Sequence, residues 1–158
     1  MKYTIRKAEV ADMKKVLELI QELAVFEKEE NAVEVTVEDL VRDGFTNNLF
    51  HCFVGESEDE VVGMALVYPR YSTWKGAIVH LEDLIVSEKM RGTGLGSALL
   101  AEVVKYGHKL GVKRICWEVI DWNEPAISFY EKKGALVKRD WDVVHLDEQG
   151  IENFITNL

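Results

Sequence analysis

The sequence predicts an α/β protein, with a mixed β-sheet flanked by helices on both faces. Three observations lead there. The apolar run Ile78-Val79-His80-Leu81-Glu82-Asp83-Leu84-Ile85-Val86 reads as a strand, and the amphipathic stretch from Ser97 reads as a helix, with the glycine-rich turn Arg91-Gly92-Thr93-Gly94-Leu95-Gly96 between them. Segments of period 2 alternate with segments of period 3.6 along the chain. The 158 residues, 47% hydrophobic and 30% charged, suffice for one packed core and predict a single domain over 1–158.

Residues 2–6 alternate as a first strand. Residues 9–28 carry Val16, Leu17, Ile20, Leu23 and Ala24 at helical spacing. After the loop from Asn31 to Val35, Thr36 is an N-cap with Asp39 three positions on, and the short helix it opens stops near Gly44. Leu49 to Glu56 and Glu60 to Tyr71 read as antiparallel strands around Ser57-Glu58-Asp59. Ala77 to Val86 is the central strand. The helix from Gly94 to Leu110 ends at Gly111, where glycine tolerates a left-handed C-terminal residue. Lys113 to Asp121 is a further strand. Pro125 suits the first turn of a helix running to about Lys133, and Gly134 closes it. Val137 to Leu146 completes the sheet as a last strand, before a helical tail from Gln149.

Composition narrows the partners. A net charge of -9 opposes binding to a phosphate backbone, which argues against nucleic acid as a partner, and it favours a cationic substrate. No apolar run approaches the ~20 residues of a membrane span, and the N-terminal residues lack a signal-peptide core. Cys52 and Cys116 have no motif spacing, which points to a reduced, cytoplasmic setting. His51, His80, His108 and His145 are scattered and predict no metal site.

The glycine turn carries the first chemistry. Three closely spaced glycines between a strand and a helix let the backbone turn tightly, so that N–H groups gather at the positive end of the helix. Phosphate is the usual occupant of such a cradle. The turn lacks the Gly-Lys-Ser/Thr of a P-loop, and its glycines do not follow the dinucleotide pattern. Arg91, Gly94 and Gly96 instead match the Gln/Arg-x-x-Gly-x-Gly/Ala of the GNAT superfamily of N-acetyltransferases. The stretch Asn123-Glu124-Pro125-Ala126, followed by Phe129-Tyr130 and Gly134-Ala135, resembles that superfamily's second signature.

The resemblance extends to Glu22-Leu23-Ala24-Val25-Phe26-Glu27, to Tyr71-Ser72-Thr73-Trp74-Lys75-Gly76 and to Leu81-Glu82-Asp83-Leu84. These look like the branch of spermidine/spermine (diamine) and thialysine acetyltransferases. The resemblance implies the GNAT fold, acetyl-CoA as cosubstrate, a small amine as acceptor and a homodimer. It places the pyrophosphate on Arg91, Gly92, Thr93, Gly94, Leu95, Gly96 and Ser97. Backbone groups of Leu84, Ile85 and Val86 would pair with the pantetheine arm, and Asn123, Glu124, Pro125 and Ala126 would flank it. Phe26, Glu27, Glu82, Cys116, Trp117 and Glu118 fall on the substrate side, Cys116 as a strand residue rather than a nucleophile. Two departures stand out: Phe26 replaces a tyrosine common in the branch, and Arg139 lies where the polyamine enzymes carry acidic residues.

The expected reaction is acyl transfer from a thioester to an amine. An alkylamine with pKa ~10.4 arrives protonated and must lose a proton. Glu82 is the expected base, acting through water. Strand alternation predicts Glu82, Leu84 and Val86 on one face and Asp83 on the other. Tyr130, with a phenol pKa of ~10, is the expected proton donor to the departing thiolate. The substrate is expected to be a diamine or polyamine, with thialysine or another lysine-like amino acid as the alternative. A non-catalytic acyl-CoA sensor is a further reading, opposed by the presence of both Tyr130 and Glu82, and a basic protein tail is another conceivable acceptor.

Overall fold

A computed structural model describes residues 2–158. The chain divides into two compact units, Met1–Glu118 and Val119–Leu158.

The first unit holds a five-stranded sheet in the order β1 (Thr4–Lys7), β2 (His51–Ser57), β3 (Glu60–Ser72), β4 (Gly76–Val86) and β5 (Ile115–Cys116). The first four strands are antiparallel neighbours, and β5 joins β4 in parallel. The sheet is therefore mixed, as the sequence predicts. Glu58 and Asp59 both have positive φ, so β2 and β3 meet in a two-residue turn whose twist matches the strands.

Helices cover both faces of the sheet. On one face α1 (Met13–Phe26) and α2 (Val37–Val41) bury Met13, Val16, Leu19 and Leu40 against Cys52, Val54, Met64, Leu66 and Ile85. On the other lies α3 (Leu95–Leu110), whose Leu95 and Leu99 are fully buried. Each such leucine contributes roughly 1.5–3 kcal/mol. The approach is close because β2 offers no side chain there: a Cβ on Gly55 would lie 2.6 Å from Leu95 Cδ1.

The helix predicted over 9–28 begins with a 3-10 turn, Val10–Asp12, before α1 proper. Asp12 explains the shape, since its carboxylate accepts the Glu9 amide at 2.7 Å and also binds Arg6. Thr36 caps α2 as predicted, in a reciprocal capping box with Asp39. The helix then continues past Gly44 as a π turn, Arg42–Thr46. Gly44 serves packing there rather than termination, because a Cβ would meet the Phe50 ring at 2.5 Å.

Two expectations fail. The strand predicted over 113–121 pairs only at Ile115 and Cys116, opposite Val79 and His80. Just beyond, β4 is bulged. Val67 of β3 faces Leu81 and Leu66 faces Asp83, so Glu82 has no residue opposite it. A bulge bends its strand and can end pairing with a neighbour, so β4 runs on to Val86 alone on that side. The strand predicted over 137–146 does not form. The second unit consists of α4 (Glu124–Lys132) and α5 (Glu148–Thr156) with no ladder among its residues. Alternation without a hydrogen-bonding neighbour does not make a strand, and Leu136 and Val144 stand fully in solvent.

Candidate active site

The glycine turn sits where β4 gives way to α3. Gly92 and Gly94 have φ of +75° and +90°, a region that side-chain-bearing residues rarely enter. Gly94 is the N-cap of α3, and no side chain caps the helix. Its first-turn N–H groups therefore lack side-chain acceptors, which suits an anion. Thr93 pins the turn by donating its hydroxyl to the Met90 carbonyl at 2.7 Å. No atom lies within 4 Å of a Cβ built on Gly92, so the cradle is open. These features fit the phosphates of a CoA thioester. Leu95 differs from its neighbours in the turn, because its side chain is core and only its backbone can serve a ligand.

Arg91 turns toward α1. Its guanidinium lies 3.8 Å from Glu22 and 5.8 Å from the Phe26 ring centre. Glu22 also accepts the Glu88 amide, so α1 is tied to the approach to the loop. Phe26 is substantially exposed at the end of α1, and Glu27 follows it half-buried, with its pKa raised by burial.

The bulge overturns the expected alternation of acids on β4. Asp83 faces Leu66, on the α1 side of the sheet. Glu82 reaches the same side, accepting a hydrogen bond from the Tyr68 hydroxyl at 2.9 Å, and Tyr68 packs against the α1-side core. The extra residue inserted at Glu82 breaks the period-2 rule. Leu84 and Val86 stay on the α3 side, opposite Ala65 and Gly63. Two adjacent acids thus share one side of the strand. Burial, with the charges of Glu82 and Glu27, pushes Asp83 up to about 6. Tyr68 is raised to about 12, by burial first and then by its bond to Glu82, so it remains a donor. Sequence reasoning missed Tyr68 and Asp83. Tyr68 is found only through strand register, and Asp83 only by noticing that an acid pair in an apolar strand needs a bulge.

His80 lies next to this group. It is buried at 6% exposure, with Nε2 3.5 Å from Glu82 and Nδ1 3.3 Å from Cys116 Sγ. Trp117 is half-buried and Glu118 exposed immediately after β5. In the second unit, Asn123 accepts the Ala126 amide at 3.3 Å and so caps α4, with Glu124 and Pro125 in its first turn. Tyr130 is buried on α4. Arg139 lies 3.6 Å from Glu124 and donates to the Asp121 carbonyl.

A cavity of about 380 Å³ opens elsewhere on the first unit, lined in part by Lys7, Phe45, Phe50, His51 and Tyr106. It has no carboxylate to receive a cation, so the acid cluster on β4 is the better candidate for an amine site. Among the described residues, no three His, Cys, Asp or Glu side chains gather as a metal site, and no helix is long and apolar enough to cross a membrane.

An open phosphate-type loop at the head of α3, beside a strand carrying paired acids, suits a transferase that takes its acyl group from a CoA thioester. Comparison with known proteins names the family. The sequence profile of the acetyltransferase (GNAT) family matches residues 13–135, and the chain belongs to that family, whose cosubstrate is acetyl-CoA. The chain is 39% identical over 140 residues to a thialysine N-epsilon-acetyltransferase of Mus musculus, covering 83% of this chain and 82% of that one. It is 35% identical over 142 residues to a spermidine/spermine N(1)-acetyltransferase-like protein 1 of Homo sapiens, covering 85% of this chain. It spans only 20% of that human protein's length. Among solved structures, an integron cassette protein from the mobile metagenome of V. cholerae superposes with a TM-score of 0.79 at 20% identity over 98% of both chains, a likeness of fold. The mixed sheet with its flanking helices is the GNAT fold, and the chain is an acetyl-CoA-dependent N-acetyltransferase.

Proposed function

We propose that the chain acetylates a primary amine of a small cation, a diamine or polyamine. The observation that carries this reading is the crowding of Glu27, Glu82 and Asp83. Two of these acids share one side of β4, and burial first, then the charges of both others, raises Asp83 to about 6. Carboxylates held this close repel one another, and a bound ammonium relieves the repulsion. A second reading is acetylation of thialysine or a lysine-like amino acid. It is favoured by the similarity to the murine thialysine enzyme and by Arg139, a cation beside Glu124 that would oppose a long polyamine.

In this reading Asp83 and Glu27 hold the ammonium. Glu82, kept in place by Tyr68, takes its proton through water. The backbone of Leu84, Ile85 and Val86, on the unpaired side of β4, offers strand-like hydrogen bonds to the pantetheine arm. The loop from Arg91 to Ser97 receives the pyrophosphate. Asn123, Glu124, Pro125 and Ala126 flank the arm, and the Tyr130 hydroxyl gives a proton to the departing thiolate. Phe26, Cys116, Trp117 and Glu118 bound the amine. The chain works as one cytoplasmic domain in a homodimer, which sedimentation of the purified protein would check.

The test is CoA release from acetyl-CoA against spermidine, putrescine, thialysine, lysine and a basic peptide. The proposal expects the highest kcat/KM with spermidine or putrescine. A higher value for thialysine would select the second reading. Acetyl-CoA binding without turnover of any of these amines would overturn both readings of the substrate.

A further inference from the structure

Cys116 is more than a strand residue. It is paired directly with His80 across the parallel β4–β5 ladder, and the pairing brings their side chains together. His80 Nδ1 lies 3.3 Å from Cys116 Sγ, and the other ring nitrogen faces Glu82 Oε2 at 3.5 Å. Burial lowers the His80 pKa, and the opposing pull of Glu82 is smaller. The ring is therefore neutral at pH 7, with one N–H to place. A carboxylate outcompetes a thiol as acceptor for that N–H, so the hydrogen sits on Nε2. Nδ1 then presents its lone pair to the thiol.

The surroundings act on both groups, and Arg70 lowers the His80 pKa as burial does. On β3, Arg70 brings a guanidinium nitrogen within 3.9 Å of the sulfur, and Tyr68 donates to the same Glu82 oxygen that His80 faces. Glu118, just past β5, acts on His80 in the same sense as Glu82. Cys116 is only half-buried, so a small reagent can reach it. Thiol, imidazole and carboxylate in series reproduce the logic of an activated nucleophile: a base on the thiol, and a third group that orients the base.

We propose that Cys116 is a nucleophilic thiol, with His80 as its base and Glu82 as the orienting group, and that it is a covalent modification site for soft electrophiles. In the reaction the thiol proton passes to His80 Nδ1. The sulfur electron pair forms a bond to the electrophilic carbon, and the leaving group departs with the electrons of the broken bond. Capping Cys116 places new bulk beside His80 and Glu82. If Glu82 is the base proposed above, which this consequence rests on, amine acetylation stops when the sulfur is capped.

The experiment is alkylation of the full chain by iodoacetamide at pH 7, with the label located by peptide mass, and glutathione as the reference thiol. Cys116 is expected to react roughly tenfold or more faster than glutathione, as an activated thiol does. Cys52, buried with its thiol pushed up to about 12, stays unlabelled in the folded chain and serves as internal control. His80→Asn and Glu82→Gln, each checked for folding by circular dichroism, should slow Cys116 labelling toward the glutathione rate. Labelling of folded wild-type protein no faster than glutathione overturns the proposal, as does an unchanged rate in His80→Asn. Acetyl transfer is followed in the same samples. Activity that survives complete labelling of Cys116 overturns the expected block of acetyl transfer and leaves the thiol assignment standing, because labelling is read by mass alone.

Discussion

Glu82 and Asp83 are neighbours with separate consequences. Glu82→Gln preserves shape and can still accept from Tyr68, but it cannot take a proton. Turnover at neutral pH should fall by roughly 10²-fold or more and recover partly at high pH, where more amine arrives already deprotonated. An equal loss factor at every pH would assign Glu82 an electrostatic role instead. Tyr130→Phe removes one hydroxyl, and turnover should drop by roughly 10²-fold with acetyl-CoA affinity kept; a rate close to wild type would remove Tyr130 from the chemistry. Asp83 bears on stability. Burial pushes its pKa up to about 6 in the folded chain, from an ordinary value of 3.8. Between those values the folded state holds a proton that the unfolded state has lost. The stability from Asp83 is thus fully present below pH 3.8 and gone once pH passes about 6. Asp83→Asn should therefore stabilise the chain at pH 8, on the order of 1–3 kcal/mol, with the gain vanishing toward pH 4. A gain that does not vary with pH in urea melts would show that burial of the charge is not its source.

Elements differ in how far the sequence reveals them. The glycine loop, the long helix α3, the Thr36 cap and the Pro125 turn are legible because each is set by local chemistry: left-handed glycines, capping side chains and a fixed proline φ. The same locality makes the loop testable. Gly94→Val forces a β-branched residue to φ +90° at the head of α3, so acetyl-CoA Kd by calorimetry should rise by roughly tenfold or more, equivalent to about 1.4 kcal/mol, while the helix survives. Unchanged binding would move the phosphates elsewhere. The bulge at Glu82, the early end of β5 and the missing strand at 137–146 depend on which backbone lies alongside, and alternation along one segment does not encode that. For the same reason the acid pair and the Cys116–His80 contact, 36 residues apart in sequence, are visible only in the folded sheet.

At the scale of the whole molecule, the net charge of -9 would attract the small cation proposed as acceptor before any contact is made. Raising salt from near zero to roughly 0.5 M shortens the Debye length to a few ångström, so KM for a diamine should rise severalfold while kcat holds; a flat KM would confine the attraction to the acid cluster. The open side of β4 has a different consequence. From Leu81 to Val86 no strand among the described residues pairs with it beyond β5, leaving a row of backbone donors and acceptors of the kind that templates runaway strand addition between molecules. A kink and two adjacent negative charges at Glu82 and Asp83 are the devices that protect such rims. Replacing both acids with apolar residues would remove the proposed amine site and would also turn the sheet into a seed for intermolecular stacking, so the pair keeps the protein dispersed beyond its proposed part in catalysis.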